Sequence, residues 1–229
     1  MAKLAVIPAR GGSKRLPRKN VLPFLGKPIL AYTIEAAQRA GIFDDIVVST
    51  EDAEIAEVAQ RYGAAVDLRA PELAQDSSTV AQVCRELLER RAREGLTDRQ
   101  LCCLYATAPL RSAHDICSVM ALLAQPQCCF AIAATTFNHY AHQALRLTAE
   151  GHLEPMWPEL CNLRGSEVGT LVAGNGSTYA ADVTAFLAHG EFYGPGMRAH
   201  LMPFVRSVDI DTADDFALAE CLARGLGLA

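Results

Sequence analysis

Residues 3–20 read KLAVIPARGGSKRLPRKN, an apolar run that passes directly into a loop rich in glycine and cations. The apolar part, residues 3–9, predicts a buried strand, because a short continuous apolar stretch suits a strand covered on both faces. In open α/β sheets, ligands bind beyond the carboxyl ends of the strands. Gly11 and Gly12 let the backbone approach an anion closely at this end, so we predict an anion site in the loop.

The charges of this loop suit a polyphosphate, although its glycine spacing matches neither the Walker A loop nor the GxGxxG fingerprint. Its cations are Arg10, Lys14, Arg15, Arg18 and Lys19. A solvated basic loop without a ligand explains the composition equally well. The choice between the two interpretations therefore depends on the rest of the chain.

Charge is distributed unevenly along the 229 residues. The formal net charge is −5, yet residues 1–34 contain four lysines, three arginines and no acid. The remainder of the chain is therefore strongly acidic. Because nucleic-acid-binding proteins usually spread positive charge over a whole face, we predict a local anion site and no nucleic-acid partner.

The composition, 51% hydrophobic and 21% charged, indicates a globular chain, and the length predicts a single domain over residues 1–229. No apolar stretch approaches the ~20 residues that span a bilayer, and the opening one is too short for a secretory signal. The eight cysteines form no CxxC pair, so we expect reduced thiols rather than zinc or disulfides. These features predict a cytoplasmic protein without a membrane partner.

Predicted helices and short apolar strands alternate along most of the chain. Helices are predicted at 29–40, 52–62, 78–94, 116–124 and 213–224, and strands at 46–49, 65–68, 101–105, 128–134, 177–183 and 204–210. This alternation predicts an α/β fold with a doubly wound, mostly parallel sheet. The rhythm breaks over residues 135–175, which we interpret as an insertion that covers a substrate or contacts another subunit.

A pair of carboxylates stands in SVDIDT, residues 207–212. On a strand, Asp209 and Asp211 would share a face with their Cα atoms roughly 6.6 Å apart. Two carboxylates about 5 Å apart repel by about 3 kcal/mol at an effective dielectric constant near 20. A hard cation such as Mg²⁺ would remove that repulsion. Taken alone, the motif is explained more simply by an exposed strand end, or by Asp211 capping a helix.

Three further features carry weaker signals. Arg111, in ATAPLR, either binds an anion or braces its loop, and the brace is the simpler explanation. The stretch AGNGSTY, residues 173–179, predicts a turn that faces a ligand or only closes a hairpin. His139 and His142 are three residues apart, but the sequence shows no third ligand for a metal beside them.

Taken in order, the motifs IPARGGSKRLPRKN, LGKP, IVVSTED, APELAQD, YATAPLR, NGSTY and DIDT resemble the CMP-sialic acid synthetase family, the acylneuraminate cytidylyltransferases. The resemblance covers most of the chain and is densest at 4–63 and 101–111. It implies a fold like that of nucleotide-diphospho-sugar transferases. It also implies Mg²⁺-dependent transfer of CMP from CTP to a nine-carbon 2-keto sugar acid, with release of pyrophosphate. The related CMP-Kdo synthetases lack the GGSK core of the first loop.

The resemblance also implies roles for particular residues. The CTP-binding positions are Arg10, Gly12, Ser13, Lys19, Asn20, Arg69 and Thr79. The sugar-binding positions are Tyr105, Arg111, Arg164, Asn175, Tyr179, Phe192 and Tyr193. The metal ligands are Asp209 and Asp211, and the catalytic residues are Arg10, Lys14, Lys19 and Asp211. A subregion within residues 135–200 would build a homodimer in which each subunit covers the site of the other.

The branch of the family, and hence the sugar, is left open by the motifs. YATAPL resembles the pseudaminic acid branch, whereas NGSTYAADV is closer to the sialic and legionaminic branches. An arginine expected just before the Asn–Gly turn is replaced by Ala173 and Gly174, and Arg164 is the candidate to contact the sugar carboxylate instead. A CMP-Kdo type enzyme and a non-catalytic anion-binding module are the alternatives.

Overall fold

The computed structural model describes residues 2–75 and 78–228. The strands are β1 Lys3–Pro8, β2 Pro23–Phe24, β3 Lys27–Pro28, β4 Asp45–Thr50, β5 Ala65–Leu68, β6 Gln100–Leu104, β7 Phe130–Thr136, β8 Leu145–Leu147, β9 Leu153–Pro155, β10 Val172–Asp182 and β11 Arg198–Leu201. The helices are α1 Ile29–Ala40, α2 Ala53–Arg61, α3 Val80–Arg93, α4 Ala113–Leu122, α5 Gly165–Val168, α6 Val183–His189 and α7 Ala213–Gly225.

Seven strands form one sheet in the order β11-β7-β10-β6-β1-β4-β5. Neighbouring strands are parallel except at β10, which runs antiparallel to both β6 and β7. The predicted doubly wound, mostly parallel α/β sheet is therefore confirmed. The chain builds outward from β1 to β5 and then returns to place β6 on the other side of β1. Ligands bind at such a reversal of strand order, and the glycine-rich loop leaves β1 there.

Helices cover both faces of the sheet, which explains the continuous apolar strands. Along β1, Ala5 and Ile7 pack in a cluster with α1, α2 and α4, whereas Leu4 and Val6 pack with α3 and α6. All four side chains are fully buried. Since both faces of β1 lie in a core, its end is held rigidly.

The helices begin and end where local chemistry favours it. Thr79, Ser112 and Thr212 each accept a hydrogen bond from the backbone N–H three residues on, and the side chain at that position bonds back in a capping box. Asp52 likewise caps α2, since its side chain accepts a hydrogen bond from the backbone N–H of Ile55. α1 ends at Gly41, which has φ 64°, a conformation that favours glycine. The five predicted helices are confirmed.

The strand predicted at 204–210 is wrong. Phe204–Arg206 forms a 3₁₀ turn, and the sheet strand in this part of the chain is β11, at 198–201. Pro203 has no N–H and so cannot continue the ladder beside β7. Val208 and Ile210 instead enter a third core cluster together with residues of α7. Because these two side chains are buried in a core, the segment is apolar enough in sequence to resemble a strand.

Segment 137–171 lies outside the main sheet, between β7 and β10. It contains the β8–β9 hairpin and the short helix α5. Several of its large apolar side chains are exposed, among them Tyr140 at 64%, Leu147 at 69% and Leu153 at 61%. Within the range 135–200, β10 and β11 belong instead to the main sheet. None of the helices in residues 2–75 and 78–228 is both long and apolar enough to cross a membrane.

Candidate active site

The loop after β1 is held from one side by the end of β4 and the start of α2. The N–H of Gly11 donates to Oε1 of Glu51 at 2.8 Å, and the N–H of Ser13 donates to the carbonyl oxygen of Gly11 at 3.0 Å. The guanidinium of Arg18 pairs with Asp52 and Glu54. These contacts raise the pKa of Arg18 and anchor the loop to α2.

Gly11 and Gly12 have different surroundings in the loop. A Cβ at position 11 would collide with the carboxylate of Asp52, so glycine is needed there for packing. A Cβ at position 12 would meet no described atom within 4 Å. Because the N–H of Gly11 is bonded to Glu51, that group is directed into the protein. Space for a ligand is therefore open at Gly12.

Two cavities meet at this loop. The first, of about 240 Å³, lies beyond the ends of β1 and β6, and its lining includes Arg10, Lys19, Asn20, Arg69, Tyr105 and Thr107. The second, of about 270 Å³, lies along the loop, and its lining includes Arg10, Ser13, Lys14, Arg15, Lys19 and Asp211. Arg10 and Lys19 line both cavities, so the two form one elongated site with a cationic junction.

Each cavity contains a buried polar atom without a hydrogen-bond partner in the described part of the chain. In the first cavity it is Nη2 of Arg69, and in the second it is Oγ of Ser13. The other side of the Arg69 guanidinium is bound, since Nε donates to Oε2 of Glu51 at 3.0 Å. Leaving a buried donor unpaired costs about 1–3 kcal/mol. Nε of Arg111 is also buried and unpaired but lies outside both cavities, so it is their place in cavity-lining residues that makes Nη2 of Arg69 and Oγ of Ser13 candidate ligand contacts.

Lys19 and Asn20 occupy the centre of the site. Nζ of Lys19 donates to Oδ1 of Asp211 at 2.7 Å and to the carbonyl oxygen of Ile210 at 3.2 Å. Nδ2 of Asn20 donates to the carbonyl oxygen of Arg10 at 2.8 Å, and its side chain is buried. Lys19 therefore faces both the cavities and the carboxylate pair, whereas Asn20 fixes the course of the loop.

Thr79 lies at the edge of the first cavity. Its hydroxyl accepts from the N–H of Gln82 as the cap of α3, and the residue is exposed. Ser78 and Val80, on either side of it, belong to the described lining of the cavity. The structure thus gives the Thr79 side chain a capping contact and brings its neighbours to the cavity.

Of the predicted carboxylate pair, which no strand carries, Asp211 lines the second cavity, whereas Asp209 is not among the described lining residues of either cavity. Asp209 accepts from Oγ1 of Thr107 at 2.5 Å, and Asp211 accepts from Lys19 and from Nη2 of Arg15, both at 2.7 Å. Burial raises the pKa of Asp209, and the charge of Asp211 adds to that effect. The pair joins no group of three or more potential metal ligands among the described residues, so it suits a hard cation that takes its other ligands from substrate phosphates and water.

A glycine makes room for Asp209. Gly176 has φ 69°, and a Cβ there would lie 2.7 Å from Oδ2 of Asp209. Both the backbone conformation and the contact therefore favour glycine at this position. The turn predicted within 173–179 is wrong, because these residues lie inside β10, where the register against β7 shifts between Gly174 and Tyr179. This irregular part of the strand packs directly against the carboxylate.

Aromatic side chains cluster beside Tyr105, which lines the first cavity. The ring of Tyr179 lies 5.3 Å from that of Tyr105, 5.4 Å from that of Phe192 and 6.2 Å from that of Tyr193. Phe192 also packs 4.7 Å from Phe186. Burial raises the pKa values of Tyr105 and Tyr179, so both hydroxyls stay protonated at neutral pH. Tyr193 is 57% exposed.

Arg111 is a buried brace in this structure. Its guanidinium donates to the carbonyl oxygen of Ser177 at 2.5 Å, to that of Tyr105 at 3.3 Å and to Oγ1 of Thr33 at 2.8 Å. The side chain is 3% exposed, and burial lowers its pKa to about 10. Arg111 therefore ties the backbone of β10 to the end of β6, behind the aromatic cluster.

Asn175 and Arg164 also lie away from the two cavities. Nδ2 of Asn175 donates to Oγ of Ser207 and to Sδ of Met202, both at 3.1 Å, while its Oδ1 accepts from Ser177. Arg164 is exposed at the start of α5, in segment 137–171. Neither residue belongs to the described lining of the two cavities.

The structure also reveals two residues that sequence reasoning missed, Glu51 and Thr107. Each follows a parallel strand, Glu51 after β4 and Thr107 after β6. This position was a usable signal, because side chains at the carboxyl ends of neighbouring strands meet at one edge of a sheet. Neither residue lies in a glycine-rich or cationic motif, and so neither attracted attention.

The histidines and cysteines behave as ordinary structural residues. Nε2 of His142 lies 3.1 Å from the carbonyl oxygen of Leu163, and the residue is buried. Neither His139 nor His142 joins a group of three or more potential metal ligands among the described residues. All eight cysteines are free thiols, as predicted, and burial raises the pKa of Cys102 to about 12.

Comparisons with known proteins agree with this geometry. A family model described as cytidylyltransferase matches residues 4–147. The chain is 35% identical over 225 residues to a pseudaminic acid cytidylyltransferase of Campylobacter jejuni, with 98% of this chain and 97% of that protein covered. It is 33% identical over 238 residues to a CMP-N,N′-diacetyllegionaminic acid synthase of Legionella pneumophila, with 97% and 96% covered.

A solved structure has the same fold. CMP:2-keto-3-deoxy-manno-octonic acid synthetase, solved in complex with CTP, matches with a TM-score of 0.74 at 16% identity and covers 99% of this chain and 100% of that one. The likeness at this identity establishes the fold. The family model, in contrast, spans more than half of the chain, and two relatives match nearly all of it. The chain therefore belongs to the cytidylyltransferase family of nucleotidyltransferase enzymes.

Proposed function

We propose that this enzyme joins CTP to a nine-carbon 2-keto sugar acid and releases pyrophosphate. The observation that carries the proposal is the elongated site, whose two cavities share Arg10 and Lys19 and each contain an unpaired buried donor. One cavity suits a nucleoside and the other suits its phosphates. The relatives from Campylobacter and Legionella bear names that refer to sugar acids of this class.

CTP would bind with its cytidine part in the first cavity and its triphosphate along the loop. Nη2 of Arg69 is the unpaired donor on the cytidine side, and Oγ of Ser13 is the one on the phosphate side. Arg10, Lys14 and Lys19 supply positive charge between and beside them. Charge-assisted hydrogen bonds of this kind are the strong ones for phosphate oxygens.

The chemistry is an in-line displacement at the α-phosphate. The oxygen of the anomeric hydroxyl forms the new P–O bond and loses its proton to water, and the bond from the α-phosphorus to the bridging oxygen breaks to release pyrophosphate. Lys19 and Arg10 stabilise the charge that develops on the phosphoryl oxygens and the leaving group. Positioning of the two substrates supplies much of the remaining acceleration.

Asp209 and Asp211 would hold Mg²⁺ at the phosphate end. Their oxygen ligands suit Mg²⁺, which is commonly bound through one or two carboxylates together with substrate phosphates. Burial and the charge of Asp211 raise the pKa of Asp209, although the charge of Lys19 acts in the opposite direction. When bound, Mg²⁺ neutralises phosphate charge and orients the reacting groups.

The sugar acid would lie against the aromatic cluster around Tyr179, with a second subunit covering it. Segment 137–171 exposes many large apolar side chains and also carries Arg164, which would reach the site of the partner in a homodimer. The free thiols agree with a cytoplasmic location for the enzyme.

A panel of substrates tests the proposal. The protein is incubated with CTP, Mg²⁺ and, separately, pseudaminic, legionaminic and N-acetylneuraminic acids and Kdo, and pyrophosphate is measured. We expect release with at least one of the nine-carbon acids and none in the presence of EDTA. Release with Kdo alone would favour the second candidate, a CMP-Kdo synthetase, which the shared fold makes a specific alternative. No release with any sugar would contradict both.

A further inference from the structure

Glu51 connects the two halves of the elongated site from behind. Its Oε1 accepts the N–H of Gly11 in the glycine-rich loop, and its Oε2 accepts Nε of Arg69, at 2.8 and 3.0 Å. Glu51 is not among the described lining residues of either cavity. Its two oxygens therefore face protein donors, one on the phosphate side and one on the cytidine side.

The backbone around Glu51 makes the same connection. The N–H of Ala9 donates to the carbonyl oxygen of Ser49 at 3.0 Å, and the N–H of Arg69 donates to that of Thr50 at 3.1 Å. The end of β4 thus holds the start of the loop on one side and the start of the Arg69 segment on the other. Glu51 extends this arrangement from the backbone to the side chains.

The chemistry at position 51 requires a carboxylate. Both partners are donors, so two acceptor oxygens are needed, and glutamine offers one. Because the guanidinium is planar and rigid, fixing its Nε also fixes the direction of its unpaired Nη2. An acid beside a triphosphate site opposes anion binding through Coulomb repulsion. The presence of Glu51 there is explained by the two donors that it orients.

We propose that Glu51 is a positioning residue that sets the Gly11 segment of the loop and the Arg69 guanidinium in register, so that one CTP molecule engages both cavities. The inference rests on the proposed function, because it concerns how CTP is held. Glu51 acts through Gly11 and Arg69 and does not touch the substrate. Its loss should therefore weaken nucleotide binding while sparing the sugar.

The test compares Glu51→Gln with Glu57→Gln, an equal change of charge at an exposed position on α2. Binding of CTP, of CMP and of inorganic triphosphate is measured by calorimetry without sugar, and kinetics are measured with the sugar acid that the panel identifies. For Glu51→Gln we expect CTP binding to weaken roughly tenfold or more, since it loses a charge-assisted hydrogen bond. Binding of CMP and of triphosphate should both weaken.

The kinetic signature separates positioning from general damage. In Glu51→Gln, KM for CTP should rise by the same factor, with kcat changed less than about threefold and KM for the sugar unchanged. Arg69→Ala should weaken CTP and CMP binding but leave triphosphate binding near that of the wild type. Glu57→Gln should match the wild type throughout.

The possible results distinguish failure of the Glu51 inference from failure of the proposed function. Wild-type affinity of Glu51→Gln for all three probes would overturn the inference, as would a loss confined to one of CMP and triphosphate. If Glu51→Gln does not fold, Glu51→Asp is used, which keeps both oxygens but cannot span both partners and should show the same pattern. If the wild type itself binds no CTP, the proposed function fails instead.

Discussion

At the scale of single residues, two carboxylates determine whether a metal can be held. We expect Asp209→Asn and Asp211→Asn each to lower pyrophosphate release by more than about 100-fold, since even partners outside the ligand sphere cost roughly 10- to 100-fold. Burial disfavours the charge of Asp209, so the neutral variant should keep its Tm. Pyrophosphate release and Tm are measured on the same preparations. Near-normal release by both variants would remove the metal assignment.

Gly176 gives a sharper test of the same region. In Gly176→Ala, the added methyl group would meet Oδ2 of Asp209, so we expect pyrophosphate release to fall and the required Mg²⁺ concentration to rise. Gly151→Ala is the matched control, because Gly151 also has a positive φ, of 84°, with no described atom within 4 Å of the added Cβ. Both variants should lose roughly 1–2 kcal/mol of stability. Equal activity in the two would show that Asp209 tolerates displacement.

Single residues also mark where sequence reasoning reached its limit. The anion site of the first loop was predicted because its glycine, proline and lysine residues stand together in one short stretch. Arg111 contacts Thr33 and Ser177, and Asn175 contacts Ser207, and each of these contacts joins residues that lie far apart in the chain. No local pattern encodes such contacts, so the sequence left bracing and binding open for Arg111.

At the scale of elements, α2 links the loop to the fold and should make stability depend on pH. The hydrogen bond from Arg18 lowers the pKa of Asp52, outweighing burial. A carboxyl group whose pKa is lowered by folding stabilises the protein at pH values above its unfolded-state pKa of about 3.9. This stabilisation is lost as the pH falls through the pKa of the folded state. Asp52→Asn keeps a capping side chain but loses the charge.

We therefore expect Asp52→Asn to have a lower Tm than the wild type at pH 7, with the difference narrowing below about pH 4. Thermal denaturation across this range measures it. Asp214→Asn, at an exposed position of α7, should change Tm little at either pH. A difference that stays constant from pH 7 to pH 3 would mean that the Asp52 charge contributes nothing.

Helices and strands were predicted correctly where one hydrophobic pattern or one capping motif dominated the local sequence. The helices with capping boxes, and strands such as β1 with continuous apolar runs, were found close to their true bounds. The strand expected at 204–210 failed because Val208 and Ile210 are buried against a helix, and burial alone does not distinguish a strand from a packed loop. β11 was missed because three of its four residues are exposed at the sheet edge and the fourth, His200, is polar.

At the scale of the whole molecule, segment 137–171 should mediate self-association. Exposed apolar surface of this extent is typical of an interface between proteins. We expect the wild type to sediment as a dimer and Leu153→Glu to shift towards the monomer and lose activity, because a charge would be buried in the contact. Leu96→Glu, at an exposed apolar residue outside this segment, is the control. A monomeric wild type that is fully active would contradict the proposal.

The antiparallel strand β10 has a consequence for how such enzymes diversify. Most residues that line the proposed CTP site follow β1, β5 and β6, in the first half of the chain, and Asp211 joins them from the second half, whereas Tyr179 stands on β10. A lineage that keeps Gly176, Asp209 and Asp211 can therefore change its sugar through substitutions around Tyr179 without disturbing the machinery for the nucleotide. Inheritance of the nucleotide site and variation around Tyr179 would let a single ancestral catalyst give rise to enzymes for chemically different sugar acids.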